Sequence, residues 1–136
     1  MNRRKLSLTI LAVLFGISFL TACSADCAWT GEGQVWVDDN ENGQWDTGEP
    51  SPAGVTMTIR DIRNGVSGES GTTGEDGKAN LYIWMPGCPK VELEVSAHPP
   101  TGYRLTTENP VRVGRSAQDV EVVRFGLVPI DEPSNP

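Results

Sequence analysis

Apolar and polar positions alternate with period two through most of the chain beyond residue 30. In "GVTMTIRD" (54–61), Val55, Met57 and Ile59 fall on one face, with Thr56, Thr58 and Arg60 on the other. "KVELEVSA" (90–97) sets Val91, Leu93 and Val95 against Glu92, Glu94 and Ser96, and "DVEVVRFGLV" (119–128) alternates Val123, Phe125 and Leu127 with Arg124 and Gly126. A strand with one buried face requires this period, because successive side chains point to opposite sides of a sheet. "KANLYIWM" (78–85) adds Leu81 and Ile83 against Tyr82 and Trp84, an apolar mix suited to cover on both sides. "GQVWVD", "YRLTT" and "PVRVG" are shorter segments of the same kind, and Asn64-Gly65 is a tight turn because both residues tolerate positive φ. No helical period interrupts these segments, which are punctuated by many of the 15 glycines and ten prolines. The pattern predicts an all-β domain, an antiparallel sandwich of about seven strands.

The first 22 residues follow a different rule. Arg3, Arg4 and Lys5 precede an uncharged apolar run from Leu6 to Leu20, the layout of a signal peptide, and the run is too short to span a bilayer. It ends in Leu20-Thr21-Ala22-Cys23, which resembles the lipobox of bacterial lipoproteins, so Cys23 is expected to carry the lipid and become the mature N-terminus. The alternatives are an ordinary secretory signal cleaved near Ala25, or an uncleaved apolar start. The expected organisation is a signal peptide over 1–22, a lipid-anchored lead-in over 23–29, the sandwich over 30–130, and a disordered tail over 131–136. Such a chain sits in the bacterial cell envelope outside the cytoplasm, at an outer membrane or the cell surface.

Loss of the leader takes Arg3, Arg4 and Lys5 with it and deepens the formal net charge from −7 to −10. That balance excludes nucleic acid as a partner. Lipidation of Cys23 leaves Cys27 and Cys88, and outside the cytoplasm an even pair suggests a disulfide. It would close a loop of about 60 residues; two free thiols are the alternative. No CxxC spacing and a single histidine argue against zinc or redox chemistry.

The stretch "DDNENGQWDTGE" (38–49) is dense in oxygen. It fits D-x-[DN]-x-[DN]-G-x5-E throughout. Asp38, Asn40 and Asn42 supply side-chain oxygens at positions one, three and five, Gln44 its backbone carbonyl at seven, Asp46 an oxygen at nine and Glu49 two at twelve, while Gly43 makes the turn. Hard oxygens in a flexible loop, without sulfur or imidazole, select calcium over zinc or copper, and over magnesium by coordination number. Asp39 and Glu41 fall between the ligating positions and are expected to face water. Strand patterns flank the loop, so it is EF-hand-like on a β scaffold; a solvated acidic turn is the alternative.

With the loop in register, "GQVWVDDNENGQWDTGEPSPAGVTMTIRD", "TTGEDGKANLYIWMPG", "PPTGYRLTT" and "VRFGLVP" together resemble the SdrD B-like domain, a calcium-binding, prealbumin-like module related to Cna B-type repeats of surface adhesins. The resemblance implies a seven-stranded prealbumin-like sandwich, a structural or adhesive role and no catalysis. Two departures stand out. The aromatics after the Asp-Gly turn are displaced to Tyr82 and Trp84, and Cys88-Pro89 stand where the family has a tyrosine after the Pro-Gly corner. No lysine lies in the first strand, so no self-formed isopeptide bond is expected.

Catalytic readings find little support. His98 lies in a proline-locked turn, no G-x-S-x-G elbow exists, and Glu92 and Glu94 are the outer face of a strand. Trp36 and Trp84 are expected to pack, whereas Trp29 and Trp45 have polar neighbours and could stack on a sugar or a partner, unless Trp45 folds over its own loop. The sequence therefore points to an envelope module contacting a surface protein or glycan. A carbohydrate-binding module or an accessory subunit of a surface enzyme are the other readings.

Overall fold

The computed structural model describes residues 26–114 and 121–130. The expected signal peptide, the lipidation site Cys23 and the tail over 131–136 lie outside the described residues. Nine strands are described: β1 (Cys27–Val37), β2 (Thr56–Asp61), β3 (Val66–Ser67), β4 (Gly71–Thr72), β5 (Lys78–Met85), β6 (Leu93–His98), β7 (Tyr103–Leu105), β8 (Val111–Val113) and β9 (Glu121–Pro129). They form two sheets, one ordered β5-β1-β9-β7, the other β3-β2-β6-β8 with β4 also on β2. Each of the seven predicted segments carries a strand, and the two additional strands are two-residue pieces of the link between β2 and β5. All pairings between these strands are antiparallel except β1 with β9, which run parallel from Gly31 opposite Glu121 to Val37 opposite Leu127.

The core lies between the sheets where the alternation placed it. Val55, Met57 and Ile59 meet Leu93, Val95 and Ala97 from one sheet, and Leu81, Ile83, Val123, Phe125 and Leu127 from the other, all buried. Interdigitation of two apolar faces is what stabilises a sandwich. Val91, expected to point inward, is only partly buried at the rim.

β1 begins at Cys27, three residues before the expected domain boundary, because Trp29 belongs to the core at 3% exposure. Gly31 and Gly33 make this possible. A Cβ at Gly31 would stand 2.0 Å from Trp29 Cη2, and one at Gly33 would stand 2.0 Å from Met57 Sδ. The indole and the thioether lie directly on bare backbone. Those glycines weaken the strand signal in the sequence, since a glycine inside a strand lacks a side chain to pack.

Two tryptophan expectations are thereby reversed. Trp29 is buried and has no face to offer a ligand, while Trp84 is 52% exposed instead of packed; Trp36, at 2% exposure, packs as expected. The cause is register. Ala79, Leu81, Ile83 and Met85 take the inner face of β5, so Tyr82 and Trp84 take the outer one.

Cys27 and Cys88 form a disulfide with their Cα atoms 5.0 Å apart. It fastens the start of β1 to the corner after β5, whose last residue, Met85, pairs with Cys27. At the far side of the second sheet Asp61, 1% exposed, ties three segments together. Its Oδ1 accepts from the backbone N–H of Arg63 and Glu92, each at 3.0 Å, and of Asn64 at 3.4 Å. Its Oδ2 accepts from Asn64 Nδ2, which also donates to Lys90 O at 2.9 Å.

Candidate metal centre

β1 delivers its last residues to a loop clamped at both ends. The Val37 N–H donates to Pro50 O and the Asp38 N–H to Leu127 O, each at 2.8 Å, so the loop leaves and rejoins the sandwich at fixed points. Between them the chain needs left-handed backbone, which Gly43 (φ 72°) and Gly48 (φ 100°) supply without a Cβ penalty, and which Glu41 (φ 55°) also adopts.

Asp38 is the fully buried root of the loop. Its Oδ1 accepts from the Asn42 N–H at 3.0 Å and its Oδ2 from the Gly43 N–H at 2.9 Å, curling the chain around the carboxylate. Burial pushes the Asp38 carboxyl up, but the Thr106 hydroxyl and the N–H groups of Gly43, Asn42 and Glu41 outweigh it, and the carboxyl is held below its ordinary value. Thr106 Oγ1 is itself buried and lies against Asp38 outside hydrogen-bond geometry, acting as a nearby dipole. Asp38 therefore stays charged at neutral pH.

The other predicted oxygens converge on the same turn. Asp46 Oδ2 accepts from Asn40 Nδ2 at 2.9 Å and from Asn42 Nδ2 at 2.8 Å, so two amides and a carboxylate meet at one point. Asn40 Oδ1 accepts from the Asn42 N–H at 3.1 Å, and Asn42 Oδ1 from the Gln44 N–H at 2.6 Å, which fixes Gln44 within the curl. Glu49 closes the loop: its Oε2 accepts from the Asp46 N–H at 2.7 Å. Its Oε1 is buried without a hydrogen-bond partner. A buried, charged oxygen left unpaired is costly, and such an atom calls for a partner outside the protein's own donors.

Among the described residues, no three acidic, histidine or cysteine side chains gather closely enough to hold a metal by themselves. A cation at this loop therefore needs the amide and carbonyl oxygens of Asn40, Asn42 and Gln44 beside the carboxylates. An asparagine amide has nearly the same shape at its nitrogen and oxygen ends, so half a turn would present oxygen where Asn40 and Asn42 now present nitrogen. The all-oxygen donor set and the unpaired Glu49 Oε1 fit a hard divalent cation.

Three supports were not legible in the sequence. Glu41, expected to face water, pairs its carboxylate with Arg104 of β7, each side chain half exposed. Gly126 of β9 leaves room for the loop root: a Cβ there would stand 2.4 Å from Thr106 Oγ1, 3.0 Å from Trp36 Cζ2 and 3.3 Å from Asp38 Cβ. Leu127 O holds the Asp38 N–H. All come from strands more than 60 residues away, and the tertiary pairings of β1 with β9 and of β9 with β7 bring them in. Of the two tryptophans proposed for stacking, only Trp45 is available, 48% exposed beside a shallow hollow of about 340 Å³ lined by Asp46, Thr47, Gly48 and Glu49. His98 is exposed and its Nε2 lies 3.1 Å from Thr58 Oγ1.

The comparisons with known proteins agree with this architecture. Over 73 residues, 54% of this chain, the sequence is 38% identical to serine-aspartate repeat-containing protein D of Staphylococcus aureus strains Newman and MW2. The match spans about 5% of the length of those relatives. The sequence profile of the SdrD B-like domain matches residues 31–125, from the bare backbone of β1 to the core phenylalanine of β9. With well over half its length inside that match, and the two-sheet sandwich to go with it, the chain belongs to the SdrD B-like domain family.

Proposed function

We propose that the protein is a non-catalytic, calcium-stabilised β-sandwich, anchored to the bacterial envelope through lipid on Cys23, with an adhesive or structural role at the cell surface. The observation that carries the metal reading is the buried, unpaired Glu49 Oε1 in a loop of carboxylate and amide oxygens rooted on buried Asp38. Calcium would be held by Asp38, Asn40, Asn42, Asp46, Glu49 and the carbonyl of Gln44. Bound there, it supplies positive charge that the loop's carboxylates lack. The loop's own residues do the rest: Asp38 organises the backbone, Gly43 and Gly48 allow the reversals, and Glu41 with Arg104 pins the outer turn to β7. Kinship with part of a much longer protein supports the surface role.

Thermal unfolding across a calcium titration tests the metal reading. A ligand bound only by the folded state stabilises it by about 2.7 kcal/mol at a hundred times its dissociation constant. The wild-type midpoint is expected to rise by several degrees from EDTA to millimolar calcium, and the Glu49→Gln midpoint to stay flat. Equal midpoints for the wild type in EDTA and in 10 mM calcium would sink it.

A second reading rests on the exposure of Trp45 beside its hollow. Aromatic rings of this kind stack on sugar faces. If the domain is a carbohydrate module, glycan-array binding should be saturable and should disappear in Trp45→Ala with the calcium response intact. Binding unchanged in that variant would remove Trp45 from consideration.

A further inference from the structure

The largest exposed apolar side chains other than Trp45 and Ile130 cluster at one corner. Trp84 is 52% exposed, and Tyr82 and Val66 are each 37% exposed. Tyr82 and Trp84 share the outer face of β5, and with Val66 and Ser67 they line a shallow hollow of about 280 Å³. In the paired strand, Ala28 stands opposite Trp84 and Thr30 opposite Tyr82. Small uncharged residues thus flank the rings. The next charge along that face of β1 is Glu32, which pairs with Lys78 at 2.9 Å. In a strongly acidic chain the hollow holds a single carboxylate, that of Glu69, whose backbone N–H donates to Tyr82 O at 2.8 Å.

The position of the corner says what covers it. Trp84 stands opposite Ala28, five residues after Cys23. A fully extended chain covers at most about 3.6 Å per residue, so Cys23 lies within roughly 20 Å of the strand that carries Trp84. The disulfide to Cys88 holds this end of β1 against the end of β5, so the corner cannot swing away from the chain's start. Tryptophan and tyrosine have an apolar body and a polar edge, which favours the boundary between lipid headgroups and acyl chains.

We propose that Trp84 and Tyr82 form a membrane-docking face that rests in the lipid–water interface beside the Cys23 anchor. The proposal rests on the lipid-anchor reading above, and its failure can be told apart from the failure of that reading. A single acyl-type anchor binds a membrane reversibly and needs a second contact for stable attachment; where the lipid moiety is larger, the same contact fixes the domain's orientation. Docking through this corner places the start of β1 at the membrane and the loop after Val37 at the distal end.

The test uses the full protein extracted from bacterial membranes and reconstituted in phosphatidylcholine vesicles with bromine near the top of the acyl chains, which quenches tryptophans at that depth. Mass spectrometry of the N-terminal peptide reports the lipid on Cys23 independently. Trp84→Phe keeps an aromatic ring on an exposed strand face, so folding is not at stake. The expected result is that this variant loses at least half of the quenchable fluorescence, whereas Trp45→Phe loses none. Lipid on Cys23 with equal quenching in both variants overturns the docking face and leaves the anchor standing. An unmodified Cys23 overturns both. Trp84 emission that responds to a soluble oligosaccharide, or to protein concentration, and not to brominated lipid assigns the corner to a glycan or to a second copy and overturns the proposal.

Discussion

Reduction of the Cys27–Cys88 disulfide, or the double substitution Cys27→Ser/Cys88→Ser, is expected to lower the unfolding free energy by about 2–4 kcal/mol. The bridge joins residues 61 apart in sequence, so cutting it releases a long loop in the unfolded chain. For a domain of this size each kcal/mol moves the midpoint by about 4–8 °C, so the loss should reach at least ~8 °C by calorimetry. The structure adds a local signature. Among the described residues, residues 27–30 of β1 pair with β5, and the ladder to β9 is described from Gly31 onward. Without the bridge, this stretch is expected to fray first, exposing Trp29, shifting fluorescence emission to the red and raising amide exchange there. A midpoint within 2 °C of the oxidised protein would show the bridge to be energetically idle.

Asp61→Ala is expected to be comparably damaging, by about 2–3 kcal/mol, because it strips the acceptor from the backbone N–H groups of Arg63, Asn64 and Glu92 at once. The same carboxylate predicts a pH dependence. Burial pushes the Asp61 carboxyl up, but the Asn64 side chain and the N–H groups of Glu92, Arg63 and Asn64 outweigh it, and the net position is below the ordinary aspartate value. A group whose folded-state pKa is depressed stabilises the fold above its unfolded pKa, near 3.9, and loses that contribution as pH falls through the folded value. Stability should therefore hold from neutral pH to about 4.5 and decline below about 4. Asp61→Asn should flatten that acid limb, leaving the share that Asp38 contributes in the same window. A variant whose acid limb matches the wild type would show that other carboxylates govern it.

The strands were legible in the sequence wherever one face is apolar and the other polar, as in β2, β6 and β9, because burial enforces that alternation. β1 was half legible. Its part from Gly33 onward reads as a strand, but Thr30, Gly31 and Glu32 carry no strand alternation until Trp29 and Met57 are seen resting on Gly31 and Gly33. The loop was legible as a string of oxygens at fixed spacing, and the structure gathers those side chains around one turn. Its supports were not. Arg104, Thr106 and Gly126 have no local signature, since their roles arise from the β1–β9 and β7–β9 pairings. The tryptophans misled for a related reason: neighbours in sequence suggest exposure, whereas the parity of a residue along its strand decides it.

The parallel pairing of β1 with β9 also sets how the domain answers mechanical force. β1 starts at one end of the sandwich and β9 finishes at the other, with seven residue pairs between Gly31–Glu121 and Val37–Leu127 in step. Tension applied between the N-terminal side and the C-terminal side pulls these strands along their length, in shear. Their hydrogen bonds must then rupture together, where a hairpin pulled from its open end would unzip one bond at a time. The disulfide at Cys27 locks β1 to the corner after β5 at the point where such tension arrives. A chain tethered by its N-terminus and tugged from beyond Pro129 thus meets the load with a ladder loaded in shear.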